Sequence, residues 1–362
     1  MGILISENKA LTPWQRRRRQ FNLRYIMQFD PDPTQYSKMS LASGSTHIPL
    51  AEDTAALMGI PTCLVERKTF PNSESYVRYG ESVRGKQVFI MQSLAADSGK
   101  SVNDSFMEMF LMVDAAKRAS ASEITVIAPY LAYSRQDRKA KGREPISAAT
   151  IIRALQSAGA DRLVSVDMHS AQTQATFNGP FDHLTAEPLI KAALDDIIDG
   201  HQQDYVVVSP DGGRAKAAED YAEALGVEVV HMVKGRDRED SSKIVRPQTI
   251  EGVDGKVCLI IDDMIDTAGT LVSAAETLKR SGAKGVITCA THGLFSEPAL
   301  ERLKTAPIDK IIVTDSTPLD LPKKALGDKL QVLSIASLLA SAIVEIGTRG
   351  SVSKIFNDRN YH

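Results

Sequence analysis

Three carboxylates and two hydroxyls crowd one short stretch of this chain, Asp262-Asp263-Met264-Ile265-Asp266-Thr267-Ala268-Gly269-Thr270. Ala268 and Gly269 are small enough for backbone to come close to a phosphate, and the hydroxyls of Thr267 and Thr270 can donate to its oxygens. Adjacent carboxylates would repel that phosphate, so Asp262 and Asp263 suit sugar hydroxyls or a divalent cation. Together these residues read as a site for a phosphorylated sugar, although a polar turn before an ordinary helix would use the same residue types.

The flanking segments give that stretch its place. Val257-Cys258-Leu259-Ile260-Ile261 is apolar without helical spacing, as in a strand buried on both faces. Leu271, Ala274, Ala275 and Leu278 then recur at helical spacing, closed by Gly282. The loop is therefore expected at the carboxyl end of a parallel strand, where ligands bind and the next helix aims free N–H groups and its positive dipole end.

Other segments carry chemistry of the same kind. His169 follows the apolar run Leu163-Val164-Ser165-Val166, with Asp167 adjacent, and Asp211 sits in a turn after Val206-Val207-Val208. Magnesium prefers oxygen ligands, which makes Asp211 the better metal ligand by chemistry and His169 an unusual one. In His231-Met232-Val233-Lys234-Gly235-Arg236-Asp237-Arg238 a strand runs into a charged segment, which composition alone would read as a solvated hairpin.

Composition narrows the class. A chain of 362 residues, 43% hydrophobic and 24% charged, can bury a large core and is expected to form two domains. A net charge of -2 offers no general attraction to nucleic acid. Cys63, Cys258 and Cys289 are widely separated and lie in apolar contexts, as reduced core thiols do. No membrane-spanning run or secretory signal is present, so a cytoplasmic protein is expected. Residues 1–38 are polar, contain Arg16-Arg17-Arg18-Arg19, and read as a disordered extension, with Met39 an alternative start.

Beyond that extension, strands are expected near 87–93, 123–128, 162–167, 204–208, 227–233, 257–261, 286–291 and 309–314, alternating with helices near 102–119, 147–158, 187–198, 213–225 and 270–281. The pattern is α/β, with a mostly parallel sheet flanked by helices. Gly85-Lys86-Gln87-Val88-Phe89-Ile90 and Gly255-Lys256-Val257-Cys258-Leu259-Ile260 open similar successions, which implies two similar halves. The earlier copy continues with Met91-Gln92-Ser93 where the later has Ile261-Asp262-Asp263, so only the second half keeps the acids.

The stretch from Asp262 to Thr270 resembles the motif for 5-phosphoribosyl 1-diphosphate that phosphoribosyltransferases share with ribose-phosphate diphosphokinase. Arg135-Gln136-Asp137-Arg138-Lys139, Asp167-Met168-His169-Ser170-Ala171-Gln172 and Ser209-Pro210-Asp211-Gly212-Gly213 are similar to the diphosphokinase and occur in its order. The likeness covers about residues 39 to 357. It implies two phosphoribosyltransferase-like domains, an ATP-side unit at 39–187 and a sugar-side unit at 188–362, the last residues packing back on the first.

By that resemblance, the diphosphoryl group of Mg-ATP passes to the C1 hydroxyl of ribose 5-phosphate, with Mg2+ as the metal. Lys234 and Arg236 match the catalytic loop, and Arg236 also belongs with the sugar site. Asp262, Asp263, Asp266, Thr267, Ala268, Gly269 and Thr270 would hold ribose 5-phosphate. Phe70, Asn72, Ser73, Glu74, Arg135, Gln136, Asp137 and His169 would bind ATP, and His169 and Asp211 the metal. Asn72 and Ser73 stand where the family usually has Asp and Gly, which puts an amide oxygen opposite the adenine amino group. Gly212-Gly213-Arg214 is a variant of the usual glycine turn.

The resemblance also implies a homo-oligomer, commonly a hexamer, in which the adenine loop completes a neighbouring subunit's site, with no membrane or nucleic-acid partner. Three other readings remain open on the residues: a phosphoribosyltransferase that consumes 5-phosphoribosyl 1-diphosphate, a non-catalytic regulatory subunit, and a nucleic-acid-binding regulator with the Arg run as its arm.

Overall fold

The computed structural model describes residues 36–97, 99–210, 212–232 and 250–356. In chain order the first half contains β1 (Met39–Ser43), α1 (Ile48–Met58), β2 (Thr62–Cys63), β3 (Val65–Thr69), β4 (Ser75–Tyr79), β5 (Gln87–Met91), α2 (Val102–Arg118), β6 (Glu123–Ala128), α3 (Ser147–Ala158), β7 (Arg162–Val166) and β8 (Phe181–Leu184). The second contains α4 (Glu187–Ile198), β9 (Tyr205–Ser209), α5 (Ala215–Leu225), β10 (Glu228–His231), β11 (Val257–Ile265), α6 (Gly269–Arg280), β12 (Gly285–Gly293), α7 (Ala299–Thr305), β13 (Lys310–Thr314), α8 (Asp320–Leu326), β14 (Leu330–Leu333) and α9 (Ala336–Gly347).

Each half builds a six-stranded sheet, ordered β2-β1-β5-β6-β7-β8 and β10-β9-β11-β12-β13-β14. All the pairings within these two sheets are parallel. Counted within its own half, each sheet has the strand order 2-1-3-4-5-6, so the faint sequence repeat corresponds to a repeated topology. In both sheets the order reverses beside the strand that the repeat identified, β5 in one and β11 in the other.

Burial on both sheet faces explains the continuous apolar strands. In β6, Ile124 and Val126 pack with Met109 and Met112 of α2 and Ile152 and Leu155 of α3, while Ile127 packs on the opposite face. There it meets Leu50 and Met58 of α1 together with Leu339 and Ile343 of α9, so the chain's last long helix belongs to the core of the first sheet. The second sheet is covered by α6, α7 and α8 on one face and by α4 and α5 on the other.

Helix ends follow their local chemistry. Ser101 and Asp104 form a capping box that starts α2, the Asp104 carboxylate accepting from Ser101 N at 2.7 Å. Gly226 ends α5 in the left-handed region, which costs glycine little.

Several elements differ from expectation. β11 runs to Ile265 rather than stopping at Ile261, and α5 begins at Ala215 after a short 3-10 turn over Gly212–Arg214. β3 and β4 form a separate antiparallel hairpin. Its first strand, Val-Glu-Arg-Lys-Thr, is partly exposed and lacks the apolar run that marks the sheet strands.

Candidate active site

The pairing of β11 creates an opening for a ligand. Its register with β9 ends at Ile260, opposite Val208, while its register with β12 continues to Ile265, opposite Gly293. Asp262 and Asp263 therefore lie on a strand still fixed on one side and open on the other, where the strand order reverses. This is where an open α/β sheet admits ligands. Ala268 then turns the chain with φ 59 and Gly269 begins α6. The first free N–H groups of that helix are available to an anion. A Cβ on Gly269 would lie 3.2 Å from Arg302 Nη1, which donates to Thr267 O at 2.9 Å and braces the loop from behind.

Three cationic or cation-capable side chains converge on the acids. Arg214 Nε lies 3.3 Å from Asp262 Oδ1, and Arg214 Nη2 pairs with Asp263. His169 Nδ1 is 2.6 Å from Asp263 Oδ2, and Arg135 Nη1 is 2.6 Å from Asp266 Oδ2. His169 and Arg135 come from the first half, so the site lies on the seam between the sheets. A cavity of 430 Å3 opens beside Arg135, His169, Arg214 and the loop from Asp262 to Leu271.

The two adjacent acids are held in different states. Burial, reinforced by the neighbouring Asp263, pushes Asp262 above the ordinary carboxylate range against the pull of Arg214. Burial pushes Asp263 the same way, but the hydrogen bond from His169 and the charge of Arg214 outweigh it and hold Asp263 below that range. The two neighbouring carboxyls are thus shifted in opposite directions.

Asp262, Asp263, Asp266, Thr267, Ala268, Gly269 and Thr270 all line the cavity, with Arg135 and His169 opposite. Gln136 accepts a hydrogen bond from Ser147 Oγ, and neither it nor Asp137 lines the cavity. Phe70, Asn72, Ser73 and Glu74 form the tip of the β3–β4 hairpin, where Phe70 N donates to Glu74 O at 2.8 Å, and they do not line it either. Phe70 is 46% exposed. Lys234, Arg236 and Asp211 lie outside the described residues.

Arg214 is the participant that sequence reasoning passed over. Its signal was a large cation following Gly212-Gly213 at the carboxyl end of β9, a position that a glycine turn does not require. Among the described residues no group of three or more His, Cys, Asp or Glu is disposed to hold a metal ion. The cavity is lined by the carboxylates of Asp262, Asp263 and Asp266, oxygen donors of the kind magnesium prefers. No helix among the described residues is long and apolar enough to cross a membrane.

Comparison with known proteins covers both halves. A family model described as the N-terminal domain of ribose phosphate pyrophosphokinase matches residues 39–159, and one described as the phosphoribosyl synthetase-associated domain matches residues 241–357. A Bifidobacterium longum protein named ribose-phosphate pyrophosphokinase is 44% identical over 338 residues, 93% of this chain and 96% of that relative. One of the same name from Corynebacterium glutamicum is 44% identical over 321 residues, 88% of this chain and 95% of its own length. The crystal structure of a phosphoribosylpyrophosphate synthetase from Mycobacterium smegmatis superposes with a TM-score of 0.78 at 41% identity, covering 87% of this chain and all of that one.

Proposed function

The chain belongs to the ribose-phosphate pyrophosphokinase family, and from that membership we infer that it is an enzyme that makes 5-phosphoribosyl 1-diphosphate. It moves the β,γ-diphosphoryl group of ATP to the C1 hydroxyl of ribose 5-phosphate and releases AMP. The observation that carries this reading is the meeting of His169 and Arg135 from one half with Asp263 and Asp266 from the other. A nucleotide on the first side is thereby brought against a sugar phosphate on the second.

The loop Asp266–Thr270 and the start of α6 bind the 5-phosphate, and Asp262 and Asp263 accept from ring hydroxyls, turning C1 toward the nucleotide. Holding both reactants on one seam replaces a bimolecular encounter with an oriented one. Arg135 and His169 meet the nucleotide, and Lys234 and Arg236 steady the charge of the diphosphoryl group in transit. His169 and Asp211 would hold Mg2+, which would supply charge neutralisation at the phosphates. His169 Nδ1 is engaged by Asp263, which leaves Nε2 for that contact.

Phe70, Asn72, Ser73 and Glu74 serve the adenine site of a neighbouring subunit in a homo-hexamer. Their exposed place on the hairpin, away from the acids, supports this, and light scattering of the purified protein tests it. The repeated strand order supports division into an ATP-side unit, 39–187, and a sugar-side unit, 188–362. Cys63, Cys258 and Cys289 are buried and unbridged, in keeping with a reducing, cytoplasmic setting.

The decisive assay mixes the full chain with magnesium, ATP and ribose 5-phosphate and measures AMP. Sugar-dependent release is expected, and AMP release indifferent to the sugar would overturn the reading. Replacing Lys234 by Ala should lower kcat by about 100-fold or more with little change in ribose 5-phosphate binding, read by steady-state kinetics and calorimetry.

A further inference from the structure

Behind His169 the chain turns a strained corner. Asp167 follows β7 with φ 36, a backbone region that L residues other than Asn and Asp seldom adopt. Such a conformation persists only where its surroundings over-determine it. From the first half, Asp167 N donates to Leu184 O at 2.9 Å and Asp167 Oδ2 accepts from Ala186 N at 3.0 Å.

The second half holds the same residue. Thr291 Oγ1 donates to Asp167 Oδ2 at 2.5 Å. His292 Nε2 lies 3.1 Å from both Val166 O and Asp167 O. Carbonyl oxygens only accept, so Nε2 carries the proton and Nδ1, 2.8 Å from Ser316 Oγ, is left to accept. His292 is 1% exposed, and Tyr130 packs edge-on against its ring with centroids 5.0 Å apart.

These contacts close a ring. His292 pairs in register with Met264, the residue after Asp263. Asp263 meets His169, which stands two residues past the corner that His292 and Thr291 grip. The strand that bears the acids and the loop that bears His169 are therefore joined twice, once through the open cleft and once through buried bonds behind it.

We propose that Thr291 and His292 are positioning residues that pin the Asp167 corner to the second half and so set His169 against the acid pair. The inference rests on the reading that His169 meets the nucleotide and deepens it by naming what fixes the distance between the two substrates. Neither Thr291 nor His292 lines the cavity beside Arg135, His169 and the loop from Asp262 to Leu271. A loosened corner would let His169 wander, and small displacements of an aligned group are costly to rate.

The test compares wild-type full chain with Thr291→Val, which keeps shape and removes the hydroxyl, and Thr291→Ser, which keeps the hydroxyl. His292→Asn is a second probe of the same corner. In Thr291→Val, kcat should fall by about tenfold or more while KM for ribose 5-phosphate stays near wild type. Thr291→Ser should restore kcat. Independently of turnover, carbethoxylation of His169 by diethyl pyrocarbonate in the ligand-free protein, followed by peptide mass spectrometry, should be severalfold faster in Thr291→Val and His292→Asn.

Wild-type turnover and labelling in Thr291→Val would overturn the proposal, as would a loss that Thr291→Ser does not reverse. If the wild-type chain itself released no AMP, the functional reading would fall, and the labelling rates would still decide whether the corner positions His169.

Discussion

Arg214 does at the level of one side chain what the paired acids cannot do for themselves. Asp263 is 8% exposed, and a carboxylate so placed needs partners for its charge. Arg214 and His169 supply them, and Arg214 reaches Asp262 as well. Removing the guanidinium leaves a buried anion short of one partner. Arg214→Ala should therefore lower unfolding stability at neutral pH by about 1–3 kcal/mol, measured by urea titration of the ligand-free chain. A change too small to resolve would mean that His169 and water suffice. The residue types at the site were legible in the sequence because small residues, hydroxyls and acids at the end of an apolar strand have few other uses in that combination. The pairing of Arg214 with Asp262 and Asp263 was not, because no local pattern reports which turn folds against which strand.

At the level of elements, the two sheets repeat one topology, and in the second the cavity opens where the strand order reverses. In the first half that place is filled from within. Glu108 of α2, 3% exposed, accepts from Ser45 Oγ at 2.9 Å, from Lys100 Nζ at 2.8 Å and from Gln92 Nε2 at 3.1 Å, and it also accepts from Ser45 N. A Cβ on Gly44 would lie 2.1 Å from Gln92 Oε1, so only glycine permits this approach. A buried carboxylate thus ties the loop after β1 to the end of β5 and to α2. Burial pushes the Glu108 carboxyl up, but the bonds from Lys100 and Ser45 outweigh it and hold it below the usual 4.5. A depressed carboxyl contributes stability above its unfolded value, and that contribution is lost as pH falls through the folded one. Glu108→Gln should destabilise the chain by about 1–3 kcal/mol at pH 7 and by less in acid, once the pH falls through the folded value that lies under the usual 4.5, measured by denaturant unfolding at both. An equal effect at both values would show that packing, not charge, is lost. The sequence repeat revealed that Gln92-Ser93 replaces the acids, but not that Glu108 from another element fills the gap. The β3–β4 hairpin was hidden for a related reason, since only Val65, Val77 and Tyr79 of it turn to the core and the other positions carry no apolar run.

Across the whole molecule the two sheets are stitched together through buried polar seams rather than a flexible linker alone. Ser93 Oγ donates to Ser316 O at 2.6 Å, beside the contacts of His292. Hydrophobic closure adds a second tie, because Leu339 and Ile343 of α9 complete the core around Leu50 and Met58. Ile343 is fully buried, so Ile343→Ala should cost about 2–5 kcal/mol. Hydrogen exchange should accelerate first in β1 and α1, and uniform acceleration over both sheets would contradict the assignment of α9 to the first core. That assignment bears on birth as well as on equilibrium. A ribosome emits the first sheet early, but its outer cover α9 emerges only after every strand of the second sheet. Until α9 emerges, Leu50 and Met58 stay greasy and uncovered, attractive to chaperones and proteases. A product truncated before α9 would carry the same exposed surface.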